Sequence, residues 1–176
     1  MIKVIEKSKN IKDLLVIQPE IFYDYRGENT ETFNKEDWKR ILKENGIKEF
    51  EFVVDSVSVS KENTLRGFHG DTIIWKLIQC LKGAIYFVVI DVRKDSPTFN
   101  NYETFNLNDK NRWQVLIPAG CVNAHLCISD LCIFHYKQSH CYVKQSDQIH
   151  IRWNDPTFNI FWPISDPILS ERDSNY

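Results

Sequence analysis

The sequence contains few of the residues that build nucleotide-binding loops. Only six of its 176 residues are glycine, and neither G-x-G-x-x-G nor G-x-x-x-x-G-K-[ST] occurs. Such loops bring backbone N–H groups close to phosphate oxygens, and glycine makes that close approach possible. A nucleotide bound by this chain would therefore have to be held by side chains.

Long hydrophobic runs and an excess of one charge are also missing. The longest apolar run, 84–90, is far shorter than the roughly 20 residues of a membrane-spanning helix, and the N-terminus does not have the pattern of a signal peptide. Twenty-two Lys and Arg face twenty-four Asp and Glu, so the basic excess typical of nucleic-acid-binding proteins is absent. We therefore expect a soluble, cytoplasmic protein that binds neither membrane nor nucleic acid.

The cysteines do not form a disulfide or metal-binding pattern. They are five in number, include no C-x-x-C, and mostly lie in apolar stretches such as 131–133, which is typical of buried thiols in a reducing compartment. The composition, 43% hydrophobic and 26% charged, is that of a globular protein. The length is ordinary for one domain, so we expect a single domain over residues 1–176.

Hydrophobic periodicity predicts a fold built mainly of β-strands. Only 35–45 has helical spacing, with Asn34 able to cap its start and Gly46 able to end it. In 52–60, valines alternate with serines, so the serine face could meet solvent or could line a polar cavity. Many short strands without alternating helices favour an all-β jelly roll or barrel with one or a few short helices. The other predicted strands are 14–17, 75–80, 84–92, 113–117, 131–136, 148–153 and 159–162.

The segment 65–71 is chemically unusual, because it places Arg66, His69 and Asp71 close together and Lys76 follows. It could be a turn with solvated charges. Alternatively, a histidine base beside a lysine cation suits removal of an acidic C–H next to a carbonyl, since the base accepts the proton and the cation stabilises the enolate. Tyr136 could then return a proton on the opposite face, or it could simply pack within its strand.

A metal site is not expected. His69 is not part of a His-x-His pair, and Asn123 offers only an amide where a transition metal would need a stronger ligand. The remaining histidines are interpreted as structural or surface residues, with His125 the least certain because it lies near the turn at Gly120. They are His125, His135, His140 and His150.

Several ordered motifs resemble the dTDP-4-dehydrorhamnose 3,5-epimerase family, and they extend over roughly residues 14–173. The resemblance implies a cupin-type jelly-roll β-barrel that works without metal or organic cofactor, usually as a homodimer, on a nucleotide-diphosphate sugar. The motifs are DYRG (24–27), LRGFH (65–69), KL (76–77), DVRKDSPTF (91–99), IPAG (117–120), YK (136–137), IRWND (151–155), WP (162–163) and LSERD (169–173).

The same resemblance implies roles for individual residues. His69 would be the catalytic base and Asp173 the carboxylate that orients it. Lys76 would stabilise the enolate oxygen that forms at the C4 keto group of the sugar, and Tyr136 would be the proton donor across the ring. The residues expected to bind substrate are Arg26 and Arg66, through the diphosphate, and Glu31, near the nucleotide or sugar.

The chain also departs from the family pattern. Asn123 replaces a histidine within the motif Ala-His-Gly-Phe, Gly70 and Asp71 replace an aromatic residue and glutamine, and Phe87 replaces an aspartate. The changes at 70, 71 and 123 are similar to a branch that acts on GDP-linked 4-keto-heptoses in bacterial capsule synthesis, and glycine at 70 would leave room for the extra carbon. We therefore expect Asn123, Gly70 and Asp71 at the substrate site.

Four functions are weighed for this chain. The favoured one is C3 or C5 epimerisation, or both, of a GDP-4-keto-heptose. The alternatives are a dTDP-4-dehydrorhamnose 3,5-epimerase proper, a 3,4-ketoisomerase, and a sugar-binding jelly roll without activity. A metal-dependent dioxygenase ranks behind all of these.

Overall fold

The structure is a computed structural model that describes residues 2–141, 144 and 147–175. Within that part of the chain, two antiparallel sheets face each other as a jelly-roll β-barrel, which confirms the predicted all-β fold with short helices. The elements are β1 (Ile2–Lys7), β2 (Leu15–Pro19), β3 (Ile21–Asp24), β4 (Gly27–Thr30), α1 (Lys35–Glu44), β5 (Val54–Lys61), β6 (Leu65–Gly70), β7 (Lys76–Lys82), β8 (Ala84–Asp91), β9 (Tyr102–Asn108), β10 (Gln114–Ile117), β11 (Cys121–Cys127), β12 (Leu131–Gln138), β13 (Ile149–His150) and α2 (Glu171–Ser174).

The two large sheets enclose the main hydrophobic core. One has six strands in the order β1-β2-β10-β7-β12-β5, and the other has five in the order β13-β6-β11-β8-β9. Buried side chains from both inner faces, such as Ile78 and Phe134 from the first and Phe87 and Val89 from the second, pack together between them. Among the described residues, the β3–β4 hairpin forms a two-stranded sheet of its own, and Glu28 of β4 is joined by a salt bridge to Arg112, which precedes β10.

Each large sheet also has an apolar layer on its outer face. On the six-stranded sheet this layer is formed by helix α1, which packs Trp38, Ile41 and Leu42 against the strands. Its first turn is capped by Asn34, whose side chain accepts hydrogen bonds from the backbone N–H groups of residues 36 and 37. The helix was therefore correctly predicted, and it ends one residue earlier than expected.

The structure decides between the two orientations that the valine–serine alternation of β5 left open. Its serines face the interior of the barrel, where Ser60 is buried and Ser58 borders a cavity, whereas Val57 and Val59 are more than half exposed. β5 is the edge strand of its sheet, so these valines form an apolar stripe on the surface. The hydroxyl face therefore belongs to the cavity and not to solvent.

The charged segment 65–71 is a strand, not the turn that its composition also allowed. β6 lies between β11 and β13, and two of its glycines are required by the close approach of β11. A Cβ on Gly67, which has a φ of +120°, would lie 2.6 Å from the carbonyl oxygen of Asn123, and one on Gly70 would lie 2.3 Å from that of Cys121. This tight packing places His69 and Arg66 opposite Asn123 and His125 of β11.

Several strand predictions need correction. Residues 159–162 are not a strand, because Ile160 and Trp162 cover the outer face of the five-stranded sheet as irregular chain. Of 148–153, β13 is a strand, and Ile151 continues the pairing with β6 by exchanging backbone hydrogen bonds with Phe68. Strands β1, β3, β4, β6, β9 and β11 were not predicted. β3 and β4 are only four residues long, and β11 is almost fully buried, so neither kind of strand shows a clear alternation of apolar and polar residues.

Among the helices of the described residues, none has the length and hydropathy that crossing a bilayer requires.

The cysteines were expected to be buried thiols. All five cysteines carry free thiols, and four are buried as expected, whereas Cys141 is exposed. Burial raises the pKa of the Cys80 and Cys121 thiols to about 12, so these two groups stay protonated and unreactive at neutral pH.

Candidate active site

A polar cavity of about 400 Å³ opens between the two large sheets. Its walls come from β5, β7 and β12 on one side and from β6 and β11 on the other, and α2 closes one end. Six of the residues that the sequence assigned to the site border it. The lining residues are Ser58, Arg66, His69, Lys76, Ile78, Asn123, His125, Phe134, Tyr136, Gln138, Gln148, Ser170, Arg172 and Asp173.

His69 and Asp173 form a hydrogen-bonded pair at the cavity wall. His69 Nε2 lies 2.6 Å from Asp173 Oδ1, although the two residues are 104 positions apart in the chain. The histidine side chain is one-third exposed toward the cavity, whereas that of Asp173 is 5% exposed. Because the carboxylate accepts the Nε2 proton, the imidazole lone pair is on Nδ1, where it can accept another proton.

Helix α2 positions the carboxylate. Ser170 caps this short helix by accepting a hydrogen bond from the Asp173 backbone N–H, and Gly67 donates its backbone N–H to Asp173 Oδ2 at 3.4 Å. Burial acts to raise the pKa of Asp173, but the hydrogen bond and charge of His69 and the bond from Gly67 outweigh it, so this pKa lies below its usual value. Asp173 therefore stays ionised beside His69.

Lys76 crosses from one sheet to the other. It lies at the start of β7, and its Nζ donates to the backbone carbonyl of His69 at 3.3 Å and to Asn123 Oδ1 at 3.1 Å. Burial lowers the pKa of Lys76, and the nearby Asp71 carboxylate partly offsets that effect. The ammonium group is thus held beside the His69–Asp173 pair, where it can stabilise a developing negative charge.

Tyr136 occupies the wall opposite His69. It lies on β12 of the six-stranded sheet, paired with Ile78 of β7 and Ser56 of β5, whereas His69 belongs to the five-stranded sheet. Its ring lies 5.8 Å from that of Phe134, centroid to centroid. A planar molecule held between the sheets would therefore present one face to His69 and the other to Tyr136.

Two arginines make the cavity cationic. Arg66 extends from β6, and its Nε donates to Ser60 Oγ at 2.9 Å. Arg172 of α2 donates to Gln148 Oε1 at 2.7 Å and contacts the ring of His150, which packs edge-on against the His69 ring at 5.3 Å between centroids. Together with the ammonium group described above, these guanidinium groups suit an anionic ligand such as a phosphate.

Some lining residues were missed by the sequence interpretation. His125 was treated as structural or surface, but it is two residues from Asn123 on β11, and residues i and i+2 of a strand face the same side. Arg172 directly precedes Asp173 and was given no role. Recognising 121–127 as a strand would have predicted the position of His125.

Gly70 and Asp71 lie outside the set of lining residues, in contrast to the expectation that they contact the substrate. The missing side chain of Gly70 faces β11, so it leaves space for a neighbouring strand and not for a ligand. Asp71 is buried, and its Oδ1 accepts hydrogen bonds from the backbone N–H groups of Ile73 and Ile74. Both residues thus have structural roles beside the cavity.

Arg26 and Glu31 also lie outside the set of residues that line the cavity. Arg26 lies at the turn of the β3–β4 hairpin, where its side chain is 74% exposed and its guanidinium pairs with Asp24 at 2.6 Å. Glu31 is exposed and directly follows β4.

Among the described residues, no cluster of three or more His, Cys, Asp or Glu side chains is arranged to hold a metal ion.

Phe87 stands where the family has an aspartate. Phe87 is fully buried and packs against Phe134 in the core that forms the inner end of the cavity. An aspartate at this position would be a buried charge beside aromatic rings.

The chain is similar to nucleotide-sugar epimerases over nearly its whole length. A family profile described as dTDP-4-dehydrorhamnose 3,5-epimerase matches residues 8–176. The dTDP-4-dehydrorhamnose 3,5-epimerase of Methanothermobacter thermautotrophicus is 38% identical over 167 residues, which cover 92% of this chain and 87% of that protein.

Solved structures show the same similarity in three dimensions. The dTDP-4-dehydrorhamnose 3,5-epimerase of Bacillus anthracis, solved with TDP and PPi bound, has a TM-score of 0.89 and 36% identity, covering 98% of this chain and 97% of that one. The dTDP-6-deoxy-D-glucose-3,5-epimerase of Legionella pneumophila, in complex with dTDP-4-keto-L-rhamnose, has a TM-score of 0.88 and 31% identity, covering 99% and 91%.

Proposed function

The chain belongs to the dTDP-4-dehydrorhamnose 3,5-epimerase family, and on that premise we propose that it inverts C3, C5 or both of a nucleotide-diphosphate 4-keto-6-deoxy sugar, using only its own side chains. Like its family, it is an isomerase that acts on nucleotide sugars. The observation that carries the proposal is the His69–Asp173 pair, which faces Tyr136 across a cavity that also holds Lys76.

The first step is removal of a proton from the carbon next to the keto group. The C–H bonds at C3 and C5 are acidic because C4 carries the carbonyl. Asp173 holds the Nε2 proton of His69, so Nδ1 accepts the substrate proton and the carboxylate then stabilises the imidazolium. The product of this step is an enolate with its negative charge on the C4 oxygen.

Lys76 stabilises that enolate. Its ammonium group is held by the His69 carbonyl and by Asn123, so little reorganisation is needed when charge develops on the substrate oxygen. Asn123 therefore acts on the reaction through the orientation of Lys76.

Tyr136 returns a proton on the opposite face. Inversion requires that the proton leaves from one side of the sugar ring and arrives on the other. The base and the tyrosine belong to different sheets, which supports this division of roles. Which of the two carbons is inverted depends on how the ring lies between these walls.

The diphosphate and the nucleotide are assigned from the charges and from the relatives. We propose that Arg66 and Arg172 bind the diphosphate, because guanidinium groups pair with phosphate oxygens in a bidentate manner. The relatives bind TDP and dTDP-4-keto-L-rhamnose, so a dTDP-linked 4-keto-6-deoxyhexose is the first substrate to test. The case for a GDP-heptose loses its physical basis, because Gly70 opens no space in the cavity.

We further propose that the active unit is a homodimer and that Arg26 and Glu31 complete the site of a second copy. The apolar stripe on β5, which includes Val57 and Val59, is exposed in one chain, and so are aromatic residues of the β3–β4 hairpin, with Tyr25 96% exposed. Contact with a second chain would remove these apolar side chains from water. It would also bring the hairpin arginine to a phosphate-binding cavity.

Proton NMR in D2O tests the activity. The wild-type protein, incubated with dTDP-4-keto-6-deoxyglucose, should exchange hydrogen at C3, C5 or both for deuterium, and His69→Ala should abolish the exchange. His140→Ala removes an exposed histidine outside the cavity and serves as the matched control.

The same measurement, repeated with GDP-4-keto-6-deoxy-heptose, separates the alternative functions. A carbonyl found at C3 of the product would identify a 3,4-ketoisomerase. Binding of the sugar without any exchange would identify a binding protein. Exchange with GDP-4-keto-6-deoxy-heptose, but not with the dTDP sugar, would restore the heptose hypothesis.

A further inference from the structure

His150 lies beside the proposed base, although it is not one of the residues that line the cavity. It belongs to the short strand β13, where it is paired with His69 of β6, and His69 is paired in turn with Asn123 of β11. Residues that stand directly opposite each other on neighbouring strands point to the same face of the sheet. The three side chains therefore form one row across the five-stranded sheet, with the proposed base in the middle.

The His150 ring packs edge-on against the ring of the base. The two centroids are 5.3 Å apart, and the angle between the ring planes is 77°. Asp173 holds the His69 ring at one nitrogen only, through Nε2 at 2.6 Å, and a single hydrogen bond leaves a ring free to turn about it. A second ring packed beside His69 removes the space for that rotation.

His150 also holds the guanidinium of Arg172. Arg172 Nη2 lies 3.0 Å from His150 Nδ1 and 2.7 Å from Gln148 Oε1. A guanidinium only donates hydrogen bonds, so the imidazole is the acceptor and must be neutral. Burial, reinforced by the charges of Arg172 and His69, lowers the pKa of His150, whereas Asp173 acts to raise it. The lowered pKa agrees with a neutral acceptor.

Neutral partners leave the charge of Arg172 available. Other arginines of the chain are paired with carboxylates, as Arg93 is with Asp91 at 2.7 Å and Arg40 is with Asp37 at 3.2 Å. Such a pair cancels much of the positive charge. An amide and an imidazole fix the direction of the Arg172 guanidinium without cancelling its charge, so it can still attract a diphosphate.

We propose that His150 is a positioning residue with two separable tasks: its ring keeps His69 turned with Nδ1 toward the substrate, and its acceptor nitrogen aims Arg172 at the diphosphate. The inference rests on the proposed epimerase function, since it describes how two groups of that site are held. Because His150 acts through these neighbours, it does not need to touch the sugar.

Two variants remove one task each. His150→Phe keeps a flat ring against His69 but offers no acceptor to Arg172. His150→Gln has an amide oxygen that can accept the bond from Arg172, but it has no ring. The same two substitutions at His140, an exposed histidine outside the cavity, are the matched controls. Thermal melting shows whether each variant retains the fold, and either variant tests its own task if the other does not fold.

Calorimetric titration with inorganic pyrophosphate, the diphosphate part of the proposed substrate, measures the Arg172 task without turnover. We expect His150→Phe to bind pyrophosphate about tenfold more weakly than the wild type, because the guanidinium loses one of the two bonds that hold it in place before the anion arrives. His150→Gln should bind it within about threefold of the wild type, since the acceptor is retained. In the exchange assay, His150→Phe should accordingly raise KM and leave kcat nearly unchanged.

Nitrogen NMR of the imidazoles measures the His69 task, also without turnover. With the ring neutral and held in one tautomer, the Nδ1 and Nε2 shifts of His69 should be well separated in the wild type and in His150→Phe. They should move toward each other in His150→Gln, because a ring that turns away from Asp173 samples both tautomers. This variant should also lower kcat for deuterium exchange about two- to tenfold, the size of one edge-on aromatic contact, with little effect on KM.

The opposite effects of the two variants distinguish positioning from a merely structural role, which would lower binding and kcat together in both. The inference is overturned by that result, by a His150→Phe variant that binds pyrophosphate as the wild type does, or by a His150→Gln variant with unchanged His69 shifts and kcat. If the binding and NMR differences are found but the wild type exchanges no hydrogen, the epimerase proposal fails alone. The two failures are therefore distinguishable.

Discussion

Replacing Asp173 by asparagine tests the central feature of the proposed mechanism. The carboxylate has two acceptor oxygens, one bonded to His69 Nε2 at 2.6 Å and the other to the Gly67 N–H at 3.4 Å. An asparagine has only one oxygen. If that oxygen keeps the bond from Gly67, the amide NH2 points at Nε2 and selects the tautomer with its proton on Nδ1. The base then has no lone pair for the substrate.

The magnitude follows from the two orientations of the amide. Turning the amide back toward His69 leaves the Gly67 N–H without an acceptor, which costs about 1 kcal/mol for so long a bond. Even in that orientation the neutral amide stabilises the imidazolium less than a carboxylate does, by about 1–2 kcal/mol. In a serine protease, the corresponding change lowers kcat about 10⁴-fold. These two terms together lower kcat by at least about 30-fold, and with the serine protease as the upper limit we expect Asp173→Asn to lower kcat by about 30- to 10⁴-fold.

The assay is the rate of deuterium incorporation at saturating substrate, with KM and the melting temperature measured in parallel. KM should change little, because the Asp173 side chain is only 5% exposed and its carboxylate is bonded to His69. Asp130→Asn removes an exposed carboxylate elsewhere and is the control. A kcat within tenfold of the wild type would falsify the assignment of Asp173 as the residue that sets the tautomer of the base.

Three further predictions concern other parts of the molecule. Mixing the two inactive variants Arg26→Ala and His69→Ala should restore about a quarter of the wild-type activity, since half of the dimers are mixed and each mixed dimer has one intact site of two. Mass spectrometry shows whether the subunits have exchanged. If they have exchanged and no activity returns, Arg26 lies outside the site. Lys76→Met should lower kcat about 10²–10³-fold by loss of enolate stabilisation, and a larger effect on KM than on kcat in the exchange assay would contradict that role. Burial acts to raise the pKa of Asp91, but hydrogen bonds led by that of Arg93 hold it below its usual value. Its stabilising contribution is therefore present above about pH 3.9 and lost as the pH falls, so urea unfolding should show Asp91→Asn less stable than wild type by about 3 kcal/mol at pH 7, with a smaller difference at pH 3.

Much of the secondary structure follows from local patterns. The apolar spacing of 35–45 and the capping ability of Asn34 predicted α1 to within one residue, because both signals act over a single turn of chain. The strands within 84–92 and 131–136 were recognisable because they are long and apolar. Strand β11 was missed, since six of its seven residues are buried and no alternation marks it.

The orientation of β5 shows where local patterns stop. The alternation of valine and serine predicts a strand with two unlike faces, but it does not say which face is inside. Burial usually selects the apolar face. Here the interior on that side is a polar cavity and the outside is an apolar stripe, so the usual preference is reversed.

The sequence by itself determined the class of fold and the reactive side chains. Motif resemblance identified His69, Lys76, Tyr136 and Asp173, and the structure places them around one cavity. Gly70 shows the limit of this approach, since a missing side chain opens space only on the side toward which it would have pointed, and that direction depends on the neighbouring strand.

Only the tertiary structure decided which groups meet. A base and a carboxylate 104 residues apart become hydrogen-bonded because the C-terminal helix packs against β6, and His125 becomes part of the cavity because β11 faces β12 across the barrel. Strand propensity acts between neighbours in sequence, whereas sheet order and register depend on contacts that form only when distant segments pack together. The sequence therefore determined the elements and the reactive groups, and the packing of the two sheets determined the site.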